Sequence, residues 1–412
     1  MSILRYVKIR SFKSIRDEKI DLGQLNVFIG TNGAGKSNFL EAIGLLSSAV
    51  TGEVDYSSLG DRGVRLSSPE VLRSAFSNVK RKATFSIEGG FGPLMYRTNI
   101  SSKTDASSSH PWRFHAETLR RGTRKTIAGR SNSFKGVHGL KINLENFKSY
   151  QGIIPVAKSL GVLTDRELEA LSALKDYAIY APSTPILRGA ANDETRKSPL
   201  GLFGGGMAQA LEDILTVRDG RKIKYIQEFF SLLGWFQSIG YRTPESSLQS
   251  SHIHTGPKVV SFKDKFMPRN FKELYAYDVS EGALYILFVL LLLAHEKSPN
   301  IFALDNVDNA LNPSLVESLV AYISRVLKKN PEKQIFMTTH NPTTLDSLDL
   351  FDKNHRLFVV KRAQTGETKF EQIKPPTDFT REQWQEKFGY MKLSEIWLSG
   401  AIEGLNPPEG FK

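Results

Sequence analysis

Cysteine is absent from this chain of 412 residues, so neither a disulfide nor a thiolate zinc site contributes to its fold. A long apolar segment is absent too. The longest such run, Ala283 to Ala294 (ALYILFVLLLLA), is too short to cross a bilayer and predicts a buried helix. The opening residues MSILRYVKIRSFKS alternate charged and apolar side chains and lack a secretory-signal core. These absences predict a cytoplasmic protein that makes no membrane contact. No internal repeat is present, and no segment sustains several heptads, which excludes a long coiled coil. Acidic charge is the scarcer sign. The 43 Asp and Glu against 55 Lys and Arg leave a net charge of +12, which suits a polyanionic partner or simply a solvated basic surface.

What is present is ordinary for a globular chain: 40% hydrophobic residues, and enough length for one large core or two modest domains. YVKIRSF, KIDLGQ and LNVFIG read as strands, and Asn38 to Ala49 (NFLEAIGLLSSA) as an apolar-periodic helix. Residues 51–75 read as loop and 80–100 as strands. Ser101 to Ser109 reads as a polar connection, and 111–150 as further strands and loops. From 155 to 235 the pattern turns helical, as in LTDRELEALSALKDYAIY and MAQALEDILTVRDGRKIKYIQEFFSLLGWF, with Gly204, Gly205 and Gly206 between the pieces. Strands and loops to 278 precede the apolar helix, the strand IFALD, a helix from Pro313 to Lys329 and the strand KQIFMTTH. The expected division is 1–100, 101–270 and 271–412.

Gly30 to Ser37 (GTNGAGKS) fits G-x-x-x-x-G-K-[ST]. A phosphate chain needs backbone N–H groups turned inward, an ammonium on its terminal oxygens and a hydroxyl on Mg²⁺. Gly30, Gly33, Gly35, Lys36 and Ser37 supply these, with Asn32 and Asn38 inside and just after the loop. The helix that follows aims its N-terminus at the phosphates. Four apolar residues deliver Asp305 at the end of IFALD, as the carboxylate a Mg-nucleotide site requires downstream of its P-loop. Ser280 and the Gly282 amide open the long apolar helix and offer a second anion site, or Ser280 is simply a helix cap. His340 ends KQIFMTTH, where it can reach a terminal phosphate or the attacking water; alone it reads as a polar loop residue.

In this order the four elements resemble the ABC-type heads of the SMC, RecF and OLD (overcoming lysogenisation defect) ATPases. The resemblance rests on FKSIRDEKIDLGQLNVFIGTNGAGKSNFLEAI, VSEGALYILFVLLLLA, IFALDNVDNALNP and TTHNPTTLDSL. PLGLFGGGMAQAL and LSEIWLSGAIEGLNP are similar to compact OLD-type ATPases of phage-defence operons. The resemblance implies an α/β fold: an ABC-type P-loop ATPase head with mixed β-sheets flanked by helices and a helical insertion. ATP and Mg²⁺ are the implied cofactors, with Ser37 and Asp305 on the metal. A homodimer or higher homo-oligomer is implied as well. In it Ser280 meets the nucleotide of the partner's P-loop and Asn309 to Asn312 cross over. A separate nuclease or toxin is the implied effector. Too few residues follow His340 for the Toprim nuclease domain of OLD proteins.

Where this pattern commonly continues with Glu, the chain has Asn306. An amide orients a water but cannot take its proton, and such base assistance is worth about 10²–10⁴-fold. Asp305, Asn306 and His340 therefore predict either a slow ATPase or an ATP-locked scaffold, with a RecF-like repair ATPase as the third possibility. Asp308 is expected in the loop toward the partner, not as a substitute base. DNA contact is the expectation for the basic band Arg113, Arg120, Arg121, Arg124, Lys125 and Arg130, opposed only by Glu117. Trp112 and Phe114 there are candidates for stacking on bases. An exposed hairpin facing solvent or an acidic subunit explains the band equally well. His252 and His254 have metal-like spacing without carboxylates nearby and read as loop. Arg188 in PSTPILRGA receives no role.

Overall fold

The computed structural model describes residues 4–77, 79–102, 110–122, 125–131, 135–137, 147–217, 226–227, 230, 233–245, 257–268, 273–309 and 311–401. Arg124, His252, His254, residues 103–109 of the polar connection and 218–225 of the helical segment lie outside them. Two compact units emerge. The first holds residues 1–179, 300–307 and 316–412, and the second 180–299 and 308–315.

The first unit is built on two sheets. One is antiparallel and seven-stranded, in the order β2 (Ile15–Asp21), β1 (Tyr6–Phe12), β4 (Thr84–Phe91), β5 (Leu94–Ser102), β6 (Trp112–Arg121), β7 (Lys125–Arg130), β8 (Lys135–Val137). The strands from 112 onward thus continue the sheet of the first hundred residues. The other sheet has six strands, in the order β16 (Thr368–Ile373), β15 (His355–Arg362), β3 (Leu25–Ile29), β14 (Gln334–Thr339), β13 (Ile301–Leu304), β9 (Ala178–Tyr180). There β13, β14, β3 and β15 run parallel, and β16 returns antiparallel. LNVFI, IFAL and QIFMTT are buried at every residue, as strands covered on both faces must be.

The helix Lys36–Thr51 fills the space between the sheets and buries all but a few of its side chains. Behind the glycine loop Phe28 lies 4.7 Å from Phe39 and stacks on Phe358 at 5.0 Å. Such pairs add about 0.5–1.5 kcal/mol each beyond area burial. The segment LTDRELEALSALKDYAIY is helical only to Lys175; Asp176 ends the helix, and the three apolar residues Ala178–Tyr180 become the edge strand β9.

The second unit carries the antiparallel strands β10 (Phe236–Arg242), β11 (Val259–Asp264) and β12 (Leu274–Tyr275). Its helix Glu281–Ala294 is apolar on all sides and buried from Ala283 to Leu293, as such a helix must be. No helix among the described residues is long and apolar enough to cross a membrane. The glycine-rich PLGLFGGG segment wraps the Asp193 carboxylate, which accepts hydrogen bonds from the amides of Phe203 and Gly205 at 3.0 Å. A Cβ at Gly201 or Gly205 would collide with that side chain, so these glycines serve the wrapping.

Part of the basic band is structural. Trp112 and Phe114 are buried on the core face of β6, at 1% and 3% exposure, and cannot stack on bases. Arg130 is buried too; it pairs with Glu117 at 3.4 Å and donates to the carbonyls of Phe114 and Lys148. Burial pushes the Glu117 carboxyl up and the Arg130 guanidinium down, each opposed by the other's charge. Arg121 grips Glu167 with two hydrogen bonds of 2.6 and 2.7 Å. The expected DNA contacts of Arg121 and Arg130 are therefore replaced by internal ones, and Arg113, Arg120 and Lys125 are the described cations left to a ligand.

Removing the guanidinium in Arg130→Met strands a buried carboxylate and is expected to cost about 3–5 kcal/mol in urea unfolding, with Arg120→Ala close to neutral. The hydrogen bonds from Arg121 hold the Glu167 carboxyl at about 2, below its ordinary 4.5. A depressed carboxylate stabilises the fold above its unfolded value and loses that contribution as pH falls through the folded one. Arg121→Ala should therefore shift acid unfolding, followed by circular dichroism, to higher pH.

Candidate functional site

The parallel strands β3, β13 and β14 end side by side, and the crevice beyond such ends is where α/β sheets place ligands. Gly30 follows β3, Asp305 follows β13, and His340 follows β14. Chain segments hundreds of residues apart thereby meet within hydrogen-bonding distance.

The glycine loop is shaped by close approach. A Cβ on Gly30 would run into the Val360 carbonyl, and one on Gly35 into the Thr368 hydroxyl. Gly35 also caps the helix with φ 111°, a left-handed conformation costly to other residues. The Lys36 ammonium donates to the carbonyls of Gly30 at 2.7 Å and Thr31 at 3.1 Å, and lies 3.3 Å from His340 Nδ1. An ammonium only donates, so Nδ1 is the acceptor there. Asn32 and Gly33 are exposed at the loop's tip.

Ser37 Oγ lies 3.0 Å from Asp305 Oδ2, and Thr338 Oγ1 lies 2.5 Å from Oδ1. A hydroxyl beside a carboxylate, both hard oxygen donors, fits Mg²⁺ and not a soft metal. Asn306 follows with φ 56°, a left-handed turn that Asn tolerates better than most residues. Its N–H donates to Thr338 Oγ1 at 2.8 Å, and its side chain is exposed.

A second set of residues, invisible to motif reading, braces the loop from behind. Thr368 Oγ1 donates to the Ala34 carbonyl at 2.8 Å, so the Ser14 hydroxyl 2.6 Å away must donate to Thr368. Asn38 Nδ2 donates to Ser14 at 2.7 Å, and Arg65 Nη2 to Asn38 Oδ1 at 3.0 Å. Every link has one direction, and the relay ends on a carbonyl held away from the loop's interior. Asn38 therefore acts from behind the loop. Alongside, the buried Glu41 carboxylate accepts from Lys13 and Arg65. Burial lowers the Lys13 ammonium and Glu41 raises it back. Lys13 and Ser14 belong to the N-terminal segment that carries the family resemblance, whereas Thr368 comes from a strand no local pattern connects to GTNGAGKS.

Ser280 and Gly282 belong to the second unit, where they open the helix Glu281–Ala294. Ser280 is exposed and its side chain makes no capping bond, so it is not occupied as an ordinary helix cap. Asn309 is exposed in the same unit, and Asn312 Oδ1 accepts from the Leu315 amide at 3.0 Å. Ala310 between them lies outside the described residues.

The family profile described as "AAA domain, putative AbiEii toxin, Type IV TA system" matches residues 25–346. No curated protein matches the sequence. Among solved structures, an SMC head bound to the C-winged helix domain of ScpA is similar at 14% identity and TM-score 0.52, over 90% of this chain and 97% of its own. An SMC head domain from Thermotoga maritima is similar at 15% identity and TM-score 0.40, over 90% and 99%. An Smc head with an extended coiled coil, bound to the C-terminal domain of ScpA derived from Pyrococcus furiosus, is similar at 13% identity and TM-score 0.45, over 94% and 98%. The first of these likenesses shows the fold, an SMC-head-like ABC ATPase fold with mixed sheets flanked by helices.

Thr368→Val removes the donor to Ala34 and leaves Ser14 without its acceptor. A lost buried hydrogen bond is worth about 1–1.5 kcal/mol, so nucleotide affinity should fall about tenfold in titrations with a fluorescent ATP analogue.

Proposed function

The chain belongs to this AbiEii-type AAA family, and from that premise we propose that it binds Mg-ATP between its glycine loop and Asp305 and hydrolyses it slowly. The observation that carries the reading is the convergence of Lys36, Ser37, Asp305 and His340 on one crevice, with Asn306 at the position next to the metal carboxylate. The amides from Gly33 to Ser37 and the Lys36 ammonium bind the β- and γ-phosphates. Ser37 and Asp305 hold Mg²⁺, which when bound neutralises charge on the phosphate oxygens. His340 is placed to donate to a terminal phosphate. Asn306 orients water without deprotonating it. Phosphoryl transfer relies chiefly on positioning and charge, so turnover is slow and not zero.

Head-to-tail dimerisation around the nucleotide accounts for a Ser280 exposed without a capping partner. In that arrangement Ser280 and the Gly282 amide face the γ-phosphate on the partner's loop, and the cycle of closure governs a separate nuclease or toxin chain. An OLD-type role in phage defence agrees with the compact helical insertion. DNA contact, if it belongs to this function, falls to Arg113, Arg120 and Lys125.

A second reading, an ATP-locked scaffold, is favoured by the same Asn306. Turnover by purified protein separates the two: many ATP per chain per minute would sink the scaffold. Asn306→Glu is expected to raise turnover, with Lys36→Ala abolishing nucleotide binding. Because φ is 56° at this position, the Glu variant should also lose about 1–2 kcal/mol of stability. Asn306→Asp, which tolerates the turn, tests the carboxylate with less strain. If neither acidic variant speeds hydrolysis, the water is handled elsewhere.

A further inference from the structure

We propose that Thr338 is a positioning residue that sets the metal carboxylate and the water-orienting residue together. The role rests on the Mg-ATP reading above. Thr338 lies near the end of β14 with no solvent exposure. Its hydroxyl accepts the Asn306 N–H at 2.8 Å. A backbone amide only donates, so the single hydroxyl proton is free for Asp305 Oδ1, 2.5 Å away. That bond fixes the rotation of the carboxylate and leaves Oδ2 facing Ser37 Oγ at 3.0 Å. The Thr338 carbonyl, in turn, accepts the Val307 N–H at 3.0 Å.

Two successive amides beyond Asp305 therefore end on one residue. An extended strand points neighbouring amides to opposite sides, so this convergence requires a turn between them. The turn is Asn306, at φ 56°. Remove the hydroxyl and two things loosen at once: the carboxylate that holds the metal, and the backbone from which the Asn306 side chain projects. Ser retains both hydrogen bonds. Val keeps the shape of Thr and loses both. Groups that orient a metal ligand typically matter by about 10–100-fold in metal affinity or activity.

The test uses the full chain and a fluorescent ATP analogue, titrated in EDTA and then with Mg²⁺. In Thr338→Val, the Mg²⁺ concentration for half-maximal nucleotide binding should rise about 10–100-fold with affinity in EDTA unchanged. Thr338→Ser should restore the wild-type Mg²⁺ response. On turnover, Thr338→Val should lower kcat more than it raises KM. Its effect should shrink when Asn306 is already Ala, because coupled residues do not add. An unchanged Mg²⁺ response in Thr338→Val, with nucleotide still bound, overturns this inference and leaves the proposed function standing. Equal losses of affinity in EDTA and in Mg²⁺ assign Thr338 to packing alone and overturn it as well. A wild-type chain that binds no nucleotide removes the proposed function and this role with it. Should Thr338→Val not fold, Thr338→Ala and Thr338→Ser are compared in the same titration, and equal Mg²⁺ responses in those two overturn the inference.

Discussion

The parallel pairing of β3, β13 and β14 is the constraint on which the candidate site depends. Their registers set Ile29 beside Thr339 and Leu304 beside Met337, so the three strands end within two residues of one another. The group just beyond each strand end, whether glycine loop, carboxylate or imidazole, then shares one crevice with the other two. Two side-chain contacts at the site link segments far apart in the chain: 268 residues for Ser37 and Asp305, 304 for Lys36 and His340. Such contacts survive only if the strands beneath them cannot slip. A one-residue slip would turn alternate side chains to the wrong face. Burial of LNVFI, IFAL and QIFMTT on both faces is what fixes the register.

The same sheet explains why the loop needs its support from behind. A phosphate cradle presents N–H groups inward, and carbonyls forced the other way need donors of their own. Thr368 from β16 meets that need at Ala34, and Ser14, Asn38 and Arg65 orient Thr368 in sequence. The braces are two hydroxyls, an amide and the Arg65 guanidinium, with the charged pair Lys13–Glu41 set beside them. At the loop itself, the Lys36 ammonium donates to two backbone carbonyls and meets the His340 ring, neutral groups that yield readily to a phosphate.

Much of the site was legible because its chemistry is local in sequence. GTNGAGKS states its own geometry, and IFALD announces a buried strand ending in a carboxylate. The mixed α/β fold followed from the resemblance that these motifs carry to ABC-type ATPase heads. Three features were not legible, for physical reasons. Ala178–Tyr180 follows a helix so closely that its apolar residues continue the helical period, and only pairing in the sheet makes them a strand. The band around Arg113 to Arg130 reads as a charged surface, yet strand alternation turns Trp112 and Phe114 inward, and a β-bulge between Phe114 and Ala116 shifts the phase so that Glu117 turns inward too and draws Arg130 after it. Thr338 and Thr368 are small polar residues in apolar strands, and their roles exist only through partners from other segments.

Asn306 is where the chemistry and the conformation of the site meet. On chemical grounds it removes a proton acceptor from the position beside Asp305. On conformational grounds it occupies a turn at φ 56°, where Asn is among the least strained of the residues that carry a side chain. Glu at this position would pay for its carboxylate with a strained backbone, held by the same Thr338 hydroxyl that orients Asp305. In the proposed function, the turn and the slow hydrolysis are then two consequences of one residue. On the proposed reading, Ser37, Asp305, Thr338 and His340 supply the positioning and Asn306 sets the speed. The Thr338 hydroxyl holds Asp305 in one orientation, so on the proposed reading the metal is bound to a defined geometry while Asn306 limits hydrolysis.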